Sequence, residues 1–220
     1  SGRGVHGSNT WEPVAQVVDA LDAAFYLAFG AVTPANRRML LALDVSGSMD
    51  TGMVAGVPGL TPRLGSAAMA LVTAASERQH SFVAFTAGSH QSMWPGHGSG
   101  ITPLSISPRQ RLDDVVRSIS GLPFGGTDCA LPIRWAMERK MPVDTFVIYT
   151  DSETWAGAIH PAQALREYRQ RTGIPARLVV VGMVGNGFSI ADPADAGMLD
   201  VVGFDTATPE LINSFARGEI

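Results

Sequence analysis

The apolar run Met39-Leu40-Leu41-Ala42-Leu43, closed by Asp44-Val45-Ser46-Gly47-Ser48, constrains this chain more than any other stretch. An apolar run with no polar alternation specifies a strand buried on both faces, the habit of parallel sheets covered by helices. At its carboxyl end a carboxylate and two hydroxyls follow at every second position. In a tight loop these hard oxygen donors suit Mg²⁺, or another divalent cation such as Mn²⁺, which binds oxygen and keeps part of its water.

The rest of the chain repeats this alternation. Val14, Val17, Val18, Leu21, Phe25 and Ala28 fall at helical spacing and predict an amphipathic helix covering one sheet face, stopped by Gly30 and Pro34. Thr61-Pro62 and Ser107-Pro108 each read as a hydroxyl cap followed by proline at the first helical position. The first opens a helix with Leu64, Ala67, Ala68, Leu71 and Ala75 inside, the second one with Leu112, Val115, Val116 and Ile119 inside. Thr127-Asp128 opens a fourth helix that runs to about Lys140, with Asp128 as its cap and Pro132 in its first turn. Pro161 starts a fifth: Ala164, Leu165 and Tyr168 face in, while Arg166, Arg169 and Arg171 form a solvated face or a contact for RNA or an acidic neighbour. Thr208-Pro209 caps the last, with Leu211, Ile212 and Phe215 inside. Buried strands are predicted at 81–85, 145–149, 178–181 and 201–204, with a short edge strand at 91–94 or 101–105.

Strands alternating with helices specify an α/β fold, a doubly wound, mostly parallel sheet with helices on both faces. Such sheets bind ligands beyond the carboxyl ends of their strands, where the strand order reverses. Asp44 and Asp151 each stand at such an end, and Thr127 follows Gly125-Gly126, a pair that permits close backbone approach. Asp44, Ser46, Ser48, Thr127 and Asp151 are therefore the candidate metal ligands. The plainer reading has Ser46 and Ser48 capping the loop and the aspartates bonding backbone amides, or a folded site that no longer takes a metal.

Composition narrows the function classes. A net charge of −4 and an isoelectric point near 5.7 argue against a surface built mainly for phosphate backbones. Cys129 is the one cysteine, so no internal disulfide forms, and a reducing, cytoplasmic setting is expected. At the start of a helix Cys129 reads as a packed thiol. No apolar run reaches the length of a membrane span, so no membrane partner is expected. Residues 1–9 are Gly-rich and read as an extension from a longer parent protein, with the domain over 10–220. No phosphate loop, dinucleotide-binding glycine pattern or serine elbow occurs, and His90 and His97 fit no zinc spacing. Trp94, Trp135 and Trp155 read as core or loop anchors, Trp155 and Glu153 standing close to Asp151 in sequence.

Asp44-Val45-Ser46-Gly47-Ser48, Thr127 after a glycine pair and Asp151 after a strand together resemble the metal-ion-dependent adhesion site of von Willebrand factor A domains. A narrower resemblance lies in Gly125-Gly126-Thr127-Asp128-Cys129, Phe146-Val147-Ile148-Tyr149-Thr150-Asp151, His160-Pro161 with the helix after it, and Asn186-Gly187-Phe188-Ser189-Ile190-Ala191-Asp192-Pro193. These are similar to the C-terminal A domain of the Ro 60 kDa ribonucleoprotein family, a bacterial member by the look of them. The resemblance implies a six-stranded sheet, five strands parallel and one short antiparallel edge. It implies a parent chain whose ring of HEAT-like repeats binds Y RNA and misfolded RNA, and a 3′-to-5′ exoribonuclease as associate. The function expected is a non-catalytic, metal-dependent binding domain whose open metal position takes a partner's Asp, Glu or phosphate. The alternatives are metal-assisted phosphoester hydrolysis by Asp44 and Asp151, or a purely structural domain bracing the ring.

Overall fold

The computed structural model describes residues 2, 8–87, 100–122, 125–151, 156–185, 190–203 and 205–220. The buried run forms β1 (Met39–Asp44), and the next strands are β2 (His80–Phe85), β3 (Ile101–Leu104), β4 (Thr145–Thr150), β5 (Arg177–Gly182) and β6 (Met198–Val202). They make one six-stranded sheet in the order β3-β2-β1-β4-β5-β6. Only β3, paired with β2, runs antiparallel. Order reverses between β1 and β4, whose registers place Leu43 beside Tyr149, so Asp44 and Asp151 leave adjacent strands at the same edge.

The lack of polar alternation in β1 follows from helices on both faces. Leu41 and Leu43 pack with Val147, Tyr149, Val179 and Val181 under α2 (Pro62–Ser76), α3 (Leu112–Ser120) and α6 (Thr208–Arg217). Leu40 and Ala42 pack with Phe146, Ile148 and Val180 under α4 (Leu131–Glu138) and α5 (Pro161–Thr172). Burying each leucine side chain stabilises the fold by about 1.5–3 kcal/mol. Cys129 is packed in the second of these cores.

Local signals place most elements. Thr61 caps α2 by accepting the Leu64 N–H at 3.2 Å, with proline at the first helical turn. His160 caps α5, and Gly173 ends it in the left-handed region at φ 69°. Asp128 does not cap α4 as its position predicts: the helix begins at Leu131 with Ala130 at the cap, and the Asp128 carboxylate instead accepts the Ala130 N–H at 3.0 Å in the turn before it.

Five further expectations are corrected. Ser107-Pro108 does not open a helix: Ser107 and Gln110 close a turn on each other, and α3 begins at Leu112. The last strand lies at Met198–Val202, earlier than 201–204, and Phe204 is outside the described residues. Leu211 is exposed on α6. α2 is buried nearly all round, Ser66, Ala70 and Ala74 included, so Leu64 and Ala75 do not define its inner stripe. Small residues let it lie close on the sheet.

The fifth correction is the first helix, α1 (Ala15–Leu27). Its stripe does not cover the sheet: Val14, Val17, Val18 and Leu21 are 49–67% exposed. α2 already fills that face. The first helix is held instead by Phe25 and Tyr26 against Phe29, by the Tyr26 hydroxyl accepting the Leu112 N–H at 2.9 Å, and by Arg111 on Asp22. Leu21→Glu is therefore expected to change stability by less than about 0.5 kcal/mol in denaturant unfolding.

The edge strand appears at Ile101–Leu104; the alternative at 91–94 lies outside the described residues, as do His90, His97, Trp94, Glu153 and Trp155. The extension expected over 1–9 is described only at residues 2, 8 and 9.

Candidate metal centre

The loop after β1 is tied down before its side chains are placed. Val45 N–H donates to the Phe85 carbonyl at 3.1 Å, and Met49, fully buried, roots the turn Gly47–Asp50 in the core. Arg63, in the first turn of α2, reaches under the loop. Its guanidinium is buried, donates to the Ser46 carbonyl at 3.2 Å and grips both oxygens of Asp50. The Thr127 loop is pinned separately: the Ala87 N–H and the Thr86 hydroxyl donate to the Gly126 carbonyl, and the Ala156 N–H to that of Thr127. A Cβ on Gly125 would lie 2.9 Å from the Thr86 hydroxyl, which is why a glycine stands there.

These anchors bring the predicted ligands to one place. Asp44 is fully buried. Its Oδ1 accepts the Ser46 N–H at 2.8 Å, and its Oδ2 accepts the hydroxyls of Thr127 at 3.2 Å and Thr150 at 2.9 Å. The Ser46 and Ser48 hydroxyls are 3.1 Å apart, and Thr150 Oγ1 stands 3.5 Å from Asp151 Oδ1. Ser46 and Thr127 are buried, Asp151 half-buried and Ser48 exposed, so the cluster opens to solvent on the Ser48 side.

Burial pushes the Asp44 carboxyl up from its ordinary 3.8 to about 6; hydrogen bonds from Ser46 and Thr150 oppose this, and the neighbouring Asp151 charge adds to it. Among the described residues, the amide and the two hydroxyls that donate to Asp44 are all neutral. Its negative charge is thus buried against hydroxyls and an amide, an arrangement that a divalent cation would complete. Two carboxylates and three hydroxyls fit Mg²⁺ or Mn²⁺, with Asp44, Ser46, Ser48, Thr127 and Asp151 as the groups to hold it directly or through water. Among the described residues no three His, Cys, Asp or Glu side chains gather, so the donor set is not of the zinc kind.

A raised folded-state pKa means that the fold binds the Asp44 proton more tightly than the unfolded chain does. The stability this gives is present below about pH 4 and is lost as pH rises through about 6. In EDTA at pH 7.5, Asp44→Asn is therefore expected to stabilise the protein by about 1–3 kcal/mol, the gain vanishing near pH 4. Urea unfolding at the two pH values checks it.

Two participants escape the sequence reading. Thr150 is the last residue of β4 and reads as a core threonine, yet its hydroxyl joins the two aspartates. Arg63 has no local spacing to Asp50 or Ser46 that would reveal the clamp.

A protein-family model described as the Ro60 vWA domain matches residues 38–216. The chain belongs to that family. As a Ro60 vWA domain it is 51% identical over its whole length to the RNA-binding protein RO60 of Deinococcus radiodurans, and 42% identical to that of Caenorhabditis elegans. It spans 39% and 32% of those two proteins. The crystal structure of the Deinococcus radiodurans Ro protein superposes with a TM-score of 0.86, covering 100% of this chain and 42% of that one. Proximal thread matrix protein 1 of the mussel byssus has the same fold at a TM-score of 0.55 and 14% identity, over 84% of this chain and 49% of that one. The Ro60 vWA domain is thus seen here as the six-stranded, mostly parallel sheet that its motifs imply.

Proposed function

We propose that this domain is a non-catalytic, metal-dependent binding module of a Ro-like RNA-binding protein. Asp44, Ser46, Ser48, Thr127 and Asp151 hold Mg²⁺, or Mn²⁺, and leave one position for an oxygen ligand from a partner. The observation that carries the reading is the Asp44 carboxylate, fully buried, accepting the Ser46 amide and the Thr127 and Thr150 hydroxyls, beside a second carboxylate and a pair of serine hydroxyls that opens to solvent. The bound ion would supply positive charge and Lewis acidity. Its two charges balance those of the aspartates, which leaves a carboxylate or phosphate as the natural last ligand.

The chain's own residues set the rest. Thr150 and Thr127 orient Asp44, Arg63 holds the serine loop from beneath, and exposed Ser48 marks where a partner approaches. The imidazoles of the described residues are engaged elsewhere: His80 bonds the Glu77 carbonyl at the far edge and His160 caps α5.

The relatives bear the name RNA-binding protein. We propose further, from the resemblance of its motifs, that the parent protein binds Y RNA and misfolded RNA through a HEAT-repeat ring, with a 3′-to-5′ exoribonuclease as associate, in the cytoplasm. Among the described residues no helix is long and apolar enough to cross a membrane. Calorimetric titration with Mg²⁺, run beside an assay on p-nitrophenyl phosphate, tests the module. Mg²⁺ binding without turnover is expected; Mg²⁺-dependent turnover would make it a phosphoesterase, and no binding would leave a bracing domain.

A further inference from the structure

Tyr149 is fully buried on the sheet face that α2 and α6 cover, one residue before Thr150 and beside Leu43 in register. A tyrosine in such a place needs a partner for its hydroxyl, which phenylalanine would not. The other two tyrosines of the chain have theirs. The Tyr168 hydroxyl accepts the Val143 N–H at 2.7 Å and donates to the Met141 carbonyl at 2.6 Å, and the Tyr26 hydroxyl accepts the Leu112 N–H at 2.9 Å. Among the described residues no protein group bonds the Tyr149 hydroxyl. Burial pushes its ionisation far above the ordinary tyrosine range, so it remains an O–H donor.

Between α2 and α6 lies a cavity of about 10 Å³, lined by Tyr149 together with Thr73, Ser76 and Asn213. That is room for about one water. The polar groups around it are incompletely used. The Thr73 hydroxyl has no partner among the described residues, since only the Thr73 carbonyl is engaged, by the Glu77 N–H at 2.8 Å. Asn213 gives its side-chain N–H to the Thr33 carbonyl at 2.8 Å, which leaves its amide oxygen as an acceptor. Ser76 donates its hydroxyl proton to the Val72 carbonyl at 3.0 Å and keeps its lone pairs. Two donors and two acceptors thus border a space of one water's size, and a water has two of each to offer. An apolar cavity would stay dry; this one is polar, and Tyr149, Thr73 and Asn213 are all buried.

We propose that this cavity is a binding site for one ordered water, which accepts from the Tyr149 and Thr73 hydroxyls and donates to the Asn213 amide oxygen and the Ser76 hydroxyl. The water gives the Tyr149 hydroxyl the partner that its protein neighbours do not. It also ties three elements together, because Tyr149 belongs to β4, Thr73 and Ser76 to α2 and Asn213 to α6. Both helices are thereby fastened to β4 one residue before Thr150, whose hydroxyl reaches Asp44. The site does not depend on the metal reading, and its test is run in EDTA so that the two stand or fall separately.

Two measurements on the 220-residue chain decide the matter. In crystals that diffract far enough to show ordered water, one peak is expected at about 3 Å from Tyr149 Oη, Thr73 Oγ1 and Asn213 Oδ1. A dry cavity, or a Tyr149 hydroxyl bonded directly to a protein atom, would overturn the proposal. In solution the sign of one substitution is diagnostic. Tyr149→Phe is expected to lower the thermal midpoint by about 2–4 °C, because it removes a satisfied hydrogen bond; removing an unsatisfied buried hydroxyl would leave the midpoint unchanged or raise it. Thr73→Val approaches the same water from α2. If the two hydroxyls share it, the double variant loses less than the two single losses added together, whereas additive losses would count against a shared water.

Discussion

Saturating Mg²⁺ is expected to raise the thermal midpoint of the wild-type protein by about 5–10 °C and to leave Asp44→Ala unmoved. A ligand at a hundred times its dissociation constant stabilises by about 2.7 kcal/mol, and in a domain of this size each kcal/mol moves the midpoint by about 2–4 °C. Asp44 is the residue to remove because it is the buried charge on which the hydroxyls of Thr127 and Thr150 converge. Without it the other donors keep one aspartate between them, too little charge to hold a hard dication stripped of part of its water. Scanning calorimetry with Mg²⁺ and with EDTA reads both proteins, and the EDTA scan separates loss of the metal response from any change in the fold itself.

Gly157→Ala is expected to cost about 2–4 kcal/mol and to weaken Mg²⁺ binding with it. Gly157 has φ 100°, a region that side chains rarely adopt, and a Cβ there would lie 2.5 Å from the Asp128 carboxyl. Strain of that kind costs about 1–3 kcal/mol before the overlap is counted. Asp128 is buried and braces the turn into α4 through the Ala130 N–H, and Thr127 precedes it directly, tied to Ala156 by its carbonyl. Moving Asp128 therefore moves the one ligand that comes from this loop. Urea unfolding in EDTA gives the stability change, and calorimetric titration gives the metal affinity.

The core and the place of the site could be read from the chain because each rests on local pattern. β1 announces itself by the absence of polar residues, and Asp44, Ser46 and Ser48 announce the loop by their spacing. Asp151 and Thr127 follow once the sheet is known to be parallel, since strand order then decides which loops meet. What escaped depends on distant partners. Periodicity marked the apolar stripe of the first helix but holds no information on what covers it, and α2 had taken that face. Ser107-Pro108 satisfies the cap rule equally well in a single turn closed by Gln110, and nothing local separates that turn from a helix. Thr150 and Arg63 act on residues far along the chain. Arg171 read as one of three equivalent surface arginines; the structure ties the other two to Asp192 and Asp195.

Crystals grown in saturating Mg²⁺ put the metal reading to its most direct trial. One octahedral ion should be found with oxygens at about 2.0–2.1 Å, Ser46 and Ser48 among its ligands and Asp44, Thr127 and Asp151 bound directly or through one water. A well-ordered loop in which these side chains bond only one another, with no ion between them, would contradict it.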